Sequence, residues 1–95
     1  MNRQACVTID LSDIHSPHQL HAALAAALDF PAIYGMNWDA FWDAITGLVE
    51  MPQQLELRGW HGLEERLPRD AAILRRILAR MAQEMPGEAA HVNYM

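Results

Sequence analysis

Pro31-Ala-Ile-Tyr-Gly-Met-Asn-Trp-Asp-Ala-Phe-Trp-Asp-Ala-Ile-Thr-Gly47 is the stretch from which the rest of the chain is read. Pro31, Tyr34 and Gly35 signal a turn, and Asn37 is a good helix N-cap, because its side chain can take up an orphan backbone N–H. A short helix is predicted from Trp38 to about Thr46, with Gly47 ending it in the left-handed conformation. Trp38, Phe41, Trp42 and Ile45 recur at i, i+3, i+4 and i+7 and form one apolar face. Asp39, Asp43 and Thr46 fall on a neighbouring stripe. Two carboxylates four residues apart repel by roughly 0.2–0.5 kcal/mol. Asp39 recovers some of that from the helix N-terminus, whereas Asp43 lies too far along to gain much. No Lys or Arg stands nearby in sequence. Unpaired carboxylates beside aromatic rings suit a cationic partner.

The charge distribution extends this reading. The 95 residues carry a formal charge of −5 and contain no lysine. Residues 4–57 hold seven acids (Asp10, Asp13, Asp29, Asp39, Asp43, Glu50, Glu56) and no arginine, while 58–95 hold six arginines against five acids. An acidic first half disfavours a nucleic-acid backbone as direct ligand and favours a basic protein. The bland alternative is that scattered surface acids only aid solubility. With 52% apolar residues the chain has enough material for one folded core. No apolar run reaches the length of a membrane span, and the N-terminal residues lack an apolar signal region. The expected compartment is therefore the cytoplasm. Cys6, the one cysteine, is expected to be a buried, inert thiol in a strand.

Outward from the centre, residues 4–10 are β-branched and apolar and read as a strand. Ser16 as N-cap, Pro17 at the first helical position and Gln19 closing a capping box start a helix that runs to about Leu28, with Leu20, Leu24, Ala27 and Leu28 inward. Gln53 to Arg58 alternates as a second strand. Gly59, Gly62 and Pro68 interrupt a short helical stretch near Leu63 to Leu67. Ile73, Leu74, Ile77, Leu78, Met81 and Met85 then set a helix from Arg69 to about Met85, and Ala89 to Tyr94 make a last strand. Strands separated by helices pair in parallel through crossovers. The expected fold is one α/β domain, a small three-stranded parallel sheet packed by about four helices.

Two catalytic alternatives have weak support. His15, His18 and His21 are spaced by three, as in some helical zinc sites, but Pro17 and the cap at Ser16 put His15 outside the helix. Asp39 and Asp43 could be an acid–base pair, yet adjacent turns of one helix give them similar surroundings and no nucleophile or oxyanion motif accompanies them. The expectation is a protein that is not an enzyme and needs no metal or cofactor. One of Trp38 and Trp42 belongs to the core; a partly exposed tryptophan beside acids has the character of an interface anchor.

At this point the residues resemble a known family. Tyr34-Gly35-Met36-Asn37-Trp38-Asp39-Ala40-Phe41-Trp42-Asp43-Ala44-Ile45-Thr46-Gly47, with Leu28-Asp29-Phe30-Pro31 before it and Val49-Glu50-Met51-Pro52 after it, is similar to the signature of the barstar family of intracellular ribonuclease inhibitors. The resemblance implies that the acidic helix and its preceding loop plug the active site of a basic secreted ribonuclease or nuclease toxin. By position, Asp43 would mimic phosphate and Asp39 would pair with a flanking basic residue. Tyr34, Gly35, Asn37 and Trp38 would shape the loop contact, and Trp42 and Thr46 would border it. Two departures stand out. Ile33 replaces a family contact tyrosine, and no acid stands at Ala79 or Arg80, where the family has a contact glutamate. These point to a cognate other than barnase. A barstar-fold binding module for a non-nuclease basic partner is the alternative; either would be a monomer when free, without contact to membrane.

Overall fold

The computed structural model describes residues 3–95. Three strands, β1 (Cys6–Asp10), β2 (Gln54–Arg58) and β3 (His91–Tyr94), form a parallel sheet in the order β1-β2-β3. Between them run α1 (Pro17–Leu28), α2 (Trp38–Asp43) with a π-helical turn Ala44–Leu48, α3 (Trp60–Arg66) and α4 (Pro68–Glu84). The three-stranded parallel α/β domain expected from the strand–helix alternation is what forms.

The strand order explains the layering. Two crossovers of the same hand that step in one direction across a sheet leave their helices on a single face. The strands accordingly alternate rather than reading as continuous apolar runs. Ile9, Leu55 and Leu57 are buried, while Thr8, Asp10, Gln54 and Arg58 face solvent. Cys6 shares the outward register of Thr8 and Asp10 and is exposed, so the expectation of a buried thiol is corrected. The period-two pattern of a half-buried strand fixes its direction.

Helix caps follow the local chemistry. Ser16 Oγ accepts the Gln19 N–H at 3.1 Å, and Gln19 Oε1 accepts from the His15 N–H at 2.7 Å, one residue earlier than the usual reciprocal bond of a capping box. Gly59 has φ 76°, a left-handed conformation against Ser12 that permits the tight passage from β2 into α3. Gly62 does not interrupt that helix as expected. It lies inside α3, where an added Cβ would come 2.7 Å from Arg66 Nη1. Arg66 in turn donates to the carbonyls of Ile14 and Leu11 at 2.8 and 2.9 Å, tying α3 to the loop after β1.

The core joins Leu20, Leu24 and Leu28 of α1 to Phe41, Ile45 and the buried face of α4: Ala71, Leu74, Leu78 and Met81. Trp60 closes the far end, its ring 4.6 Å from Tyr94. This packing makes α2 a fixed ledge. Phe41 is fully buried, against Phe30 and Trp38 at 5.8 and 5.4 Å between ring centroids, so the helix cannot roll without breaking the aromatic cluster.

Candidate functional site: an acidic helix and the loop before it

Residues 31–37 reach α2 through a constrained loop. Met36 has φ 56°, unusual for a side chain of that kind, and Asn37 then caps the helix, its Oδ1 accepting the Ala40 N–H at 2.8 Å. Asn37 also donates from Nδ2 to the Gly35 carbonyl at 3.2 Å. One side chain thus fastens both the loop and the first turn. Gly35 and Asn37 are exposed, and Tyr34 is half-buried.

Beyond Asp43 the helix does not end in a left-handed Gly47. It widens by one residue into a π-turn, with the Val49 N–H bonded to the Ala44 carbonyl at 3.1 Å. Thr46 Oγ1 donates to the Trp42 carbonyl at 2.6 Å. That bond gives the Trp42 carbonyl a side-chain donor beside the regular i−4 ladder, the kind of competition that accompanies bulged helices. Gly47 sits in this turn, and Leu48 at its end is 56% exposed.

Asp39 and Asp43 are both exposed on α2. Among the described residues the ion pairs are Arg58–Glu56, His61–Glu65 and Arg80–Glu84, and neither aspartate takes part in one. Several of the arginines are engaged elsewhere. Arg3 binds the carbonyls of Met51, Pro52, Gly87, Glu88 and Ala89, and Arg66 binds two more. Arg75 lies 4.1 Å over the Tyr94 ring. The carboxylate pair therefore keeps its negative field for whatever approaches it.

Both tryptophans are half-buried. Trp38 donates its indole N–H to Asp70 Oδ1 on α4 at 3.0 Å, and Trp42 lies under the Arg80 guanidinium, 4.0 Å from ring centroid to Cζ. Arg80 is held in that stack by Glu84 at 2.7 Å. His21 on α1 is 3% exposed, with Nδ1 2.6 Å from the Tyr34 hydroxyl and its ring 4.3 Å from that of Trp38. Burial holds its pKa below the ordinary 6.5, opposed by the charge of Asp70 and assisted by His18. Burial also pushes the Tyr34 phenol up to about 12, so it stays a proton donor.

The eight residues singled out in the sequence thus lie on one continuous loop–helix–turn. Three supporting residues were not singled out as part of it: Asp70, Arg80 and His21. His15 and His18 are exposed while His21 turns into the core, so the histidine triplet does not share a face. That His21 lies beside Leu20 and Leu24 on the apolar stripe of α1 was a readable sign of its burial; the reach of Asp70 and Arg80 to the two tryptophans needed the packing of α4 on α2.

An open recess of about 610 Å³, lined by Asp29, Thr46, Leu48 and Glu50 among others, continues the surface past the π-turn. Among the described residues no helix is long and apolar enough to cross a membrane. Comparison with known proteins places the chain in a family. A relative from Bacillus subtilis (strain 168), named "Putative ribonuclease inhibitor YrdF", is 43% identical over 54 residues, 57% of this chain and 59% of that protein. The matched segment thus spans under two thirds of that relative. Residues 4–94 match the family described as "Barstar (barnase inhibitor)". By that match over nearly its whole length, the chain belongs to the barstar family.

Proposed function

We propose that the protein inhibits a basic ribonuclease by placing α2 and the 31–37 loop in its active site. The observation that carries the reading is the Asp39/Asp43 pair: two exposed carboxylates, outside the ion pairs of the described residues, on a ledge whose opposite face is locked into the core. An RNA-cleaving site gathers cations to hold phosphate. Asp43, at the end of α2 where the π-turn begins, substitutes for that phosphate, and charge-assisted, bidentate bonds from arginine are the strong class of contact it offers. Asp39 pairs at the flank. The summed negative field of residues 4–57 steers a basic partner inward before contact. On this reading the protein works by occlusion, as an immunity protein does for the cell that makes the toxin.

Ile33, 86% exposed at the loop, and Arg80, stacked on Trp42, alter the rim around this centre. They favour a cognate ribonuclease other than barnase. The test is a titration of RNA cleavage by purified basic secreted ribonucleases, barnase among them. One-to-one inhibition of at least one enzyme, weakened by rising salt, is the expected result; a partner bound equally well at high salt would support an apolar docking module instead.

A further inference from the structure

The loop and α2 are held from behind by a cluster that joins two of the contact residues, Tyr34 and Trp38, to two side chains outside the contact set, His21 and Asp70. Four side chains from four segments meet there: His21 of α1, Tyr34 of the loop, Trp38 of α2 and Asp70 of α4. We propose that Asp70 and His21 are positioning residues that preset the inhibitory loop, and that the loop loosens when His21 takes up a proton. The proposal rests on the inhibitory reading for its purpose, and on the geometry alone for its mechanism.

Each link has a defined chemistry. Asp70 accepts from the Trp38 indole N–H at 3.0 Å, which fixes the ring that forms one wall of the His21 site. Trp38 adjoins the cap residue Asn37, so fixing its ring also fixes the first turn of α2. The Tyr34 hydroxyl lies 2.6 Å from His21 Nδ1 and 3.4 Å from the Asn37 carbonyl. With His21 neutral we assign the hydroxyl as donor to Nδ1, leaving the ring proton on Nε2. A proton added at Nδ1 makes the imidazole a donor there. Tyr34 must then accept, and its own hydrogen is left with the Asn37 carbonyl at the longer distance. The added charge sits in a site 3% exposed between two aromatic rings.

The ionisable groups around His21 come from each element packed on it: Tyr34, Asp70 and, on its own helix, His18. Asp70 favours the imidazolium, His18 disfavours it, and burial disfavours it most. A histidine whose folded pKa is depressed contributes stability that is complete above the unfolded value and is lost as pH falls through the folded value. The preset loop is therefore a state of neutral pH.

The experiment is amide hydrogen exchange of residues 31–40 in the full chain between pH 7.5 and 5, corrected for the intrinsic pH dependence, with Trp38 emission as a second readout. The protein should open its loop progressively below pH 6.5, by at most about tenfold per pH unit for one proton. His21→Gln, whose amide oxygen can still accept from Tyr34, should keep the loop ordered and flatten the profile. Asp70→Ala should loosen the loop at every pH. Asp70→Asn, which keeps an oxygen for the indole N–H, should restore the order at neutral pH and, by removing the charge that favours the imidazolium, deepen the opening below pH 6.5. A pH step that survives in His21→Gln, or an Asp70→Ala loop as protected as the parent's, would overturn the proposal. Inhibition of barnase and other basic ribonucleases is scored separately, so that an ordered, pH-sensitive loop on a protein inhibiting none of them sustains the positioning and defeats the inhibitory reading alone.

Discussion

Replacing Asp43 with asparagine should stabilise the free protein and cripple its inhibition. The substitution keeps shape and has nearly the same helix propensity, so only the charge changes. In the free protein Asp43 faces Asp39 one turn away, both exposed, and neither belongs to an ion pair of the described residues. Like charges at that spacing cost about 0.2–0.5 kcal/mol. Asp39, in the first turn of α2, recovers about 0.3–1 kcal/mol from the helix N-terminus, but Asp43 is the last residue of α2 and has no such compensation. Asp43→Asn should therefore raise the unfolding midpoint by roughly 1–4 °C for a domain of this size. The gain should shrink in about 1 M salt, where screening acts over roughly 3 Å. Against the ribonuclease the same change leaves cations buried and unpaired, at a cost of about 2–5 kcal/mol, or roughly 30- to 4,000-fold in inhibition constant. Thermal unfolding at low and high salt, paired with inhibition of RNA cleavage, measures both effects. A fall in the unfolding midpoint would mean that the carboxylate supports the fold rather than waiting for a partner.

Other outcomes follow from single contacts. Phe41→Ala removes a fully buried ring from the Phe30–Trp38 cluster and should cost about 3–5 kcal/mol in denaturant unfolding; a loss under about 1.5 kcal/mol would show that α2 is not anchored there. Asp29→Asn keeps a residue tolerant of φ 60° while removing an acid from the C-terminus of α1, so stability should rise by about 0.3–1 kcal/mol in the same assay. On acidification, His21 acts first, its contribution falling away below pH 6.5. Asp10, held below its ordinary 3.8 by bonds from Ser12, contributes fully above that value and loses its effect only as pH drops further, so Asp10→Asn should alter unfolding curves at neutral pH and leave them unaltered in strong acid.

How much of this was legible in the sequence depended on whether the cause was local. The caps at Ser16 and Asn37 follow from residue chemistry within three positions, and both form. The parallel sheet follows from strands alternating with helices. The end of α2 was not legible, because Gly47 is equally at home as a left-handed stop and inside a π-turn, and the Thr46–Trp42 bond accompanies the second outcome. Gly62 has the residue type of a breaker, and only the packing of Arg66 against its Cα side shows why glycine stands inside α3. Cys6 was misread through its residue type, although the polar Thr8 and Asp10 in its own register pointed it outward. At the candidate site, the acidic stripe and its aromatics were readable as a periodic pattern. Their supports, Asp70 and Arg80, are 32 and 38 residues from the tryptophans they touch, and no local pattern joins them.

Competition with RNA shows most directly whether Asp43, with Asp39 at its flank, occupies the place of an RNA phosphate. A ribonuclease that the protein inhibits is titrated with it in the presence of increasing concentrations of a short, non-cleavable RNA oligonucleotide. Mutually exclusive binding is the expected result, with the apparent inhibition constant rising linearly with oligonucleotide concentration and the Asp39→Ala, Asp43→Ala double variant failing to displace the RNA. A ternary complex of ribonuclease, oligonucleotide and inhibitor, or full inhibition by the double variant, would contradict it.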